Sequence, residues 1–120
     1  MKISKNNAEH YLWGDNCDGW HLVKNQDLSI IHERMPGNTC EVRHYHLQSR
    51  QFFFILSGSA MLEVNGEQVI LNQQEGYEVP PLVPHQIFNQ TDSEVELLVI
   101  SQPNSKGDRV LARSNSLHYR

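Results

Sequence analysis

Residues 42–58, VRHYHLQSRQFFFILSG, place two histidines one residue apart, a glutamine five positions after the second, and then a run of aromatic and aliphatic side chains. In an extended chain successive side chains point to opposite faces, so His44 and His46 lie on one side. Carried backward, that parity adds Cys40 and Val42 to the same face and puts Glu41, Arg43 and Tyr45 on the other. Apolar residues mixed with two imidazoles are what a barrel interior holding a polar site would present. Carried forward, Gln51, Phe53 and Ile55 share one face of the next strand.

The same rhythm runs through the rest of the chain. DLSIIHERM (27–35), AMLEV (60–64), EQVIL (67–71), HQIFN (85–89) and EVELLVIS (94–101) are short and rich in Val, Ile, Leu and Phe. Between the strands stand MPGN, SGS, NG, QEG, PPLVP and NQTDS, all turn formers. Asn65-Gly66 supplies the positive φ of a type I′ turn and predicts a hairpin over MLEVNGEQVIL. No window shows a capped helical period. Many short strands at turn-punctuated spacing predict an all-β sandwich or barrel. We expect one barrel domain over 1–103. The polar, aperiodic segment 104–120 is expected to be a tail on the surface or on a partner subunit, or a short helix or strand.

A chain of 120 residues is large enough for one domain with a hydrophobic core. Formal net charge is −4 and no basic run interleaves with aromatics, which argues against nucleic acid and anionic membranes as partners. The longest apolar run, Phe52 to Leu56, is too short to span a bilayer, and MKISKNNAEH lacks the apolar stretch of a signal peptide. Cys17 and Cys40 are too few for a disulfide framework and are expected to be free thiols. The expected location is the cytoplasm. Neither a P-loop nor a dinucleotide fingerprint is present.

In the later segments His85, Ile87 and Asn89 share a face, and Val95, Leu97 and Val99 oppose Glu94 and Glu96, which need water. If each such set points inward, the barrel holds three histidines and one glutamine between apolar walls. A buried imidazole without a partner costs roughly 1–3 kcal/mol, and a bound metal offsets that cost. Imidazole suits Zn, Mn, Fe, Ni and Cu, and a carboxamide oxygen completes the donor set. Four protein ligands leave a six-coordinate ion two open positions for water or substrate. His-x-His alone occurs on many exposed strands. It is His85, on an approach stiffened by Pro80, Pro81 and Pro84, that makes a set of three. His10, His21, His32 and His118 lack such companions and read as ordinary surface or hydrogen-bonding residues, and Glu41, Arg43 and Arg50 as strand-edge or subunit-contact residues.

These residues resemble the cupin superfamily. Its first motif, G-x5-H-x-H-x3,4-E-x6-G, is matched by Gly37, His44, His46, Gln51 and Gly58, with the first gap one residue longer and Gln in place of Glu. Its second, G-x5-P-x-G-x2-H-x3-N, is matched by Pro80, His85 and Asn89; Gln74 and Leu82 replace the glycines unless Gly76 marks a shifted turn. The resemblance implies an all-β, double-stranded β-helix (jelly-roll) barrel with a divalent transition metal (Zn, Mn, Fe or Ni) held by His44, His46, Gln51 and His85. Glutamine contributes no charge, so such a site should bind its ion less tightly and leave it a stronger Lewis acid. The pocket is expected to be lined by Cys40, Val42, Phe53, Ile55, Ile87, Asn89, Leu97 and Val99.

Phe52, Phe54 and Leu56 make the opposite face of their strand apolar too, which requires cover from the protein's own strands or from a second copy. Small cupins are commonly dimers, so a homodimer is implied. Trp13, Trp20 and Leu22 either pack there or belong to the core.

The chain is similar to single-domain cupins likened to mannose-6-phosphate isomerases. Through His-x-His-x4-Gln…His it is also similar to small cupins that ketonise unsaturated uronates. Two readings follow, because fold does not fix function. One is a metal-dependent enzyme on a small polar molecule, with sugar or uronate isomerase-type or dioxygenase-type chemistry. The other is a non-catalytic module that binds a small ligand; a third is an interaction domain with an empty barrel. An inward acid and a late arginine would help isomerase chemistry, yet Val95, Leu97 and Val99 are apolar. Tyr77 and Ser101 are the remaining polar candidates for proton transfer.

Overall fold

The computed structural model describes residues 1–113. Among them are twelve strands and no helix: β1 (Glu9–Trp13), β2 (Cys17–Lys24), β3 (Ser29–Met35), β4 (Thr39–Cys40), β5 (His44–His46), β6 (Arg50–Ser57), β7 (Ala60–Val64), β8 (Glu67–Leu71), β9 (Gly76–Val79), β10 (His85–Asn89), β11 (Val95–Gln102) and β12 (Arg109–Leu111). One antiparallel sheet runs β1-β2-β3-β11-β6-β9. The other runs β12-β5-β10-β7-β8, with β4 also against β10. This is the expected all-β jelly roll.

Period-two alternation fills the space between the sheets. In β11 Val95, Leu97, Val99 and Ser101 are buried while the residues between them are half-buried or exposed. Phe53, Ile55, Val95 and Leu97 of one sheet meet Leu62, Val64, Leu71 and Ile87 of the other in a single apolar cluster. The β7–β8 hairpin turns at Asn65 (φ 50°) and Gly66 (φ 95°), the type I′ geometry the Asn-Gly pair favours.

Three places change or sharpen the expected pattern. The run 39–47 is not one strand. Residues 41–43 interrupt it, and Glu41 takes over a rung of the ladder: its N–H donates to Ile87 O (3.1 Å) and its carboxylate accepts the Ile87 N–H (3.0 Å). The interruption reverses parity, so Cys40 and Val42, expected inside, face solvent, with Val42 59% exposed. His44 and His46 still point inward because the alternation resumes at β5.

Second, of the alternatives open for segment 104–120, a tail or a short helix or strand, a short strand forms within it. Arg109, Val110 and Leu111 pair with His46, Tyr45 and His44, so β12 lies against the strand that carries two candidate ligands. Residues 114–120, with His118, lie outside the described residues.

Third, the turn positions where the resemblance has glycine keep their left-handed backbone without it: Gln74 has φ 67° and Leu82 φ 71°. Each is held by a short backbone bond, Gln74 N–H to Ile55 O and Leu82 N–H to His46 O, both 2.7 Å. Gly76 is a strand residue of β9, so it does not stand in for either. Cys17 is buried, Cys40 exposed, and both are free thiols. No helix among the described residues is long and apolar enough to cross a membrane.

Candidate metal centre

His44 and His46 come from β5, Gln51 from β6 and His85 from β10, where His85 sits directly opposite His44. All four are buried. One ring nitrogen of each imidazole lies within 4.8 Å of the others, and the ring centroids are 4.5 Å (His44–His85), 4.9 Å (His44–His46) and 5.9 Å (His46–His85) apart.

The local backbone sets the tautomers. His44 Nδ1–H donates to Val42 O (2.8 Å) and His85 Nδ1–H to Val83 O (3.0 Å), each a carbonyl two residues back. That leaves the Nε2 lone pair of both rings free for a ligand. Burial holds all three imidazoles neutral, lowering His44 to about 3 and His85 to about 4, with His46 shifted the same way. Both ring nitrogens of His46 are buried with no hydrogen-bond partner among the described residues.

Gln51 Nε2 donates to Ser101 Oγ (2.9 Å), which turns the amide oxygen toward His85 Nε2 at 3.0 Å. With the His85 proton on Nδ1, both facing atoms carry lone pairs. Acceptors facing one another, beside an imidazole with two orphaned nitrogens, fit a divalent cation among His44, His46, Gln51 and His85. The turn between His46 and Gln51 is fixed by Asp108, whose carboxylate accepts the N–H groups of Leu47 (2.9 Å), Gln48 (3.1 Å) and Ser49 (2.8 Å).

A cavity of about 290 Å3 opens beside this group, with His44, His46 and Gln51 in its wall. Of the residues expected to line a pocket, Phe53 and Val99 do so, as does Ser101 from the proton-transfer candidates. Ile55, Ile87 and Leu97 lie in the apolar core instead. Asn89 ties a loop: its Nδ2 donates to Met35 O, Pro36 O and Ser93 O. Tyr77 pairs with Phe53 and packs against the core, outside the cavity wall.

Sequence reasoning missed six polar residues of the wall: Tyr11, Glu33, Glu41, Ser105, Lys106 and Arg109. Glu33 was legible in principle, since Ser29, Ile31, Glu33 and Met35 share one parity in β3 and its ends, Ser29 and Met35, are buried. Glu41, read as a strand-edge residue, is turned inward by the interruption at 41–43. Burial raises the Glu33 carboxyl to about 8, helped by the charge of Glu41 and opposed by Arg109. Burial likewise raises Glu41 to about 8, against the Ile87 N–H and Arg109. Glu41 Oε1 lies 3.9 Å from His44 Nδ1.

The Cupin domain family model matches residues 31–101. An uncharacterized protein of Methanocaldococcus jannaschii (MJ1618) is 23% identical over 83 residues, or 69% of this chain; the match spans 66% of that relative's length. Two solved structures superpose closely. KdgF from Halomonas sp. gives a TM-score of 0.79 at 12% identity, covering 87% of this chain and 94% of that one. A sugar phosphate isomerase from a cupin superfamily, from Silicibacter pomeroyi, gives 0.78 at 15% identity, covering 97% and 94%. At such identities the likeness is one of fold.

Proposed function

This chain belongs to the cupin family, and from that premise we propose that it is a metal-dependent enzyme performing isomerase-type chemistry on a small anionic sugar, a uronate or sugar phosphate. The carrying observation is the convergence of three neutral imidazoles and the Gln51 oxygen beside a cavity that also holds two carboxyl groups. His44, His46, Gln51 and His85 would hold Zn, Mn, Fe or Ni, and that ion would supply Lewis acidity toward a carbonyl or hydroxyl oxygen.

The chain's own residues do the rest. Glu33, with a carboxyl near 8, holds a proton at neutral pH within reach of giving it up, the poise that general acid–base catalysis needs. Lys106 and Arg109 put two cations in the wall, suited to a carboxylate or phosphate. Ile31, Phe53 and Val99 give an apolar surface for the C–H face of a sugar ring and exclude water. Groups able to move protons favour isomerisation over dioxygenase chemistry. The Silicibacter pomeroyi protein of the same fold, a sugar phosphate isomerase, supports a sugar as substrate.

The test is to strip and restore the metal and assay a panel of uronates and sugar phosphates, following solvent deuterium incorporation by NMR. Metal-restored turnover is expected. Ligand-induced stabilisation without product would instead mark a non-catalytic binding module, and failure to take up any transition metal on soaking would refute the metal site.

We also read the protein as a cytoplasmic homodimer. Two free thiols accord with a reducing compartment. On the outer face of the first sheet, Phe52 pairs with Ile100 and Phe54 with Leu98, and Phe52 is 37% exposed. A second copy would cover this apolar surface; light scattering at several concentrations tests it.

A further inference from the structure

The metal ligands all lie within the family-matched stretch, but part of the cavity wall does not. Tyr11 arrives from the β1–β2 hairpin, ahead of residue 31, and its route is unusual. Tyr11 pairs with Gly19, and Gly19 pairs with Glu33, so the three stand in one row across β1, β2 and β3. Adjacent strands are about 4.8 Å apart, so an ordinary side chain at position 19 would stand between Tyr11 and Glu33.

Gly19 leaves that place open. A Cβ there would fall 2.3 Å from Tyr11 Cζ and 2.6 Å from its hydroxyl oxygen. The phenol ring therefore lies across the β2 backbone, directed toward β3. His21 braces it, with ring centroids 4.9 Å apart and a 31° tilt. Burial, and then the charge of Glu33, push the Tyr11 phenol well above its ordinary range, so it stays a hydrogen-bond donor. Among the described residues neither the phenol nor the Glu33 carboxyl has a hydrogen-bond partner, although both line the cavity.

We infer that Tyr11 and Glu33, brought together across Gly19, form a specificity site for two adjacent hydroxyl groups of the ligand. The phenol donates to one hydroxyl and the Glu33 carboxyl bonds the other. The cavity, about 290 Å3, is at the small end for ligand sites and suits a single sugar ring. This rests on the reading of the cavity as a sugar site, and it pairs a family-matched residue, Glu33, with Tyr11 from a hairpin outside the matched stretch.

The experiment uses the full chain loaded with metal and two probes of similar size, D-glucuronate and cyclohexanecarboxylate, which lacks hydroxyls. Affinities are measured by calorimetry for the native protein, Tyr11→Phe, Gly19→Ala and the double variant, with metal content determined for each. Native protein is expected to prefer glucuronate. Tyr11→Phe should weaken glucuronate about tenfold, the worth of one good hydrogen bond, and leave cyclohexanecarboxylate and metal content unchanged. Gly19→Ala, by displacing the ring, should give a similar loss but add nothing to Tyr11→Phe.

Equal glucuronate affinity in native and Tyr11→Phe protein overturns the inference, as does an equal loss for both probes. A native protein with no preference for glucuronate overturns it too. Metal-restored turnover in the sugar panel, assayed separately, would show the parent reading intact in that case. Should Gly19→Ala fail to fold, Tyr11→Phe alone decides.

Discussion

Asp108 accepts the Ser49 N–H at 2.8 Å, and with the Leu47 and Gln48 N–H groups on the same carboxylate it locks the turn that separates His46 from Gln51. A residue far along the chain thus sets the spacing of two candidate ligands. Asp108→Ala is expected to lower metal affinity roughly ten- to a hundredfold, the usual cost of losing an outer support. Competition with a coloured chelator measures this; unchanged affinity would mean the turn holds its shape unaided.

Removing a donor should be more severe. His44→Ala or His85→Ala should abolish metal retention after dialysis, read by elemental analysis. Gln51→Glu should tighten binding, because it adds a negative charge to a donor set that has none. Weaker binding by that variant would place Gln51 outside the ligand set.

The left-handed backbone at Leu82 offers a stability test remote from chemistry. Leu82 has φ 71° and is 60% exposed, so its side chain buries little while its Cβ crowds the backbone. That conformation costs roughly 1–2 kcal/mol for an L-residue, against about 0.5–1 kcal/mol of chain entropy lost by glycine. Leu82→Gly should therefore stabilise by up to about 1 kcal/mol, a rise of a few degrees in Tm. A lowered Tm in a thermal melt would show that the Leu82 side chain does more than its exposure suggests.

The pH dependence has a definite sign at Glu33. Its carboxyl is raised by burial to about 8, so the folded chain holds this proton more tightly than the unfolded chain. The contribution to stability is complete below the unfolded value of about 4.3 and is lost as pH rises through the folded one. Metal-free protein should lose stability between about pH 5 and 8 by this route, at up to about 1.4 kcal/mol per pH unit, and Glu41, raised in the same way, adds to the loss. Glu33→Gln should flatten that slope in urea titrations. An unaltered slope would assign the loss to another group.

The sandwich and the inward facing of His44, His46, Gln51 and His85 could be read from residues alone because both depend on period two. Val95, Leu97 and Val99, or Gln51 and Phe53, declare their face by alternation. Glu33 shares the inward parity of Ser29 and Met35, but the rest of the polar wall could not be read that way. Glu41 turns inward where three residues break the alternation, which also sends Cys40 and Val42 outward. Tyr11 enters by lying over a glycine two strands from Glu33, a relation that only strand pairing creates. Gln74 and Leu82 hide two turns because the chain keeps the conformation while dropping the residue type that normally marks it.

β5 is three residues long and is flanked by β10 and β12. It pairs with β10 at one position and with β12 at three. Cutting the polypeptide ahead of Arg109 would thus unmoor the short ribbon bearing His44 and His46 along most of one border. Extensions or tags appended after Leu111 pull on the same ribbon. Fusion partners are better attached at the other terminus, where strain on the backbone has a much longer way to travel before it disturbs His44 and His46.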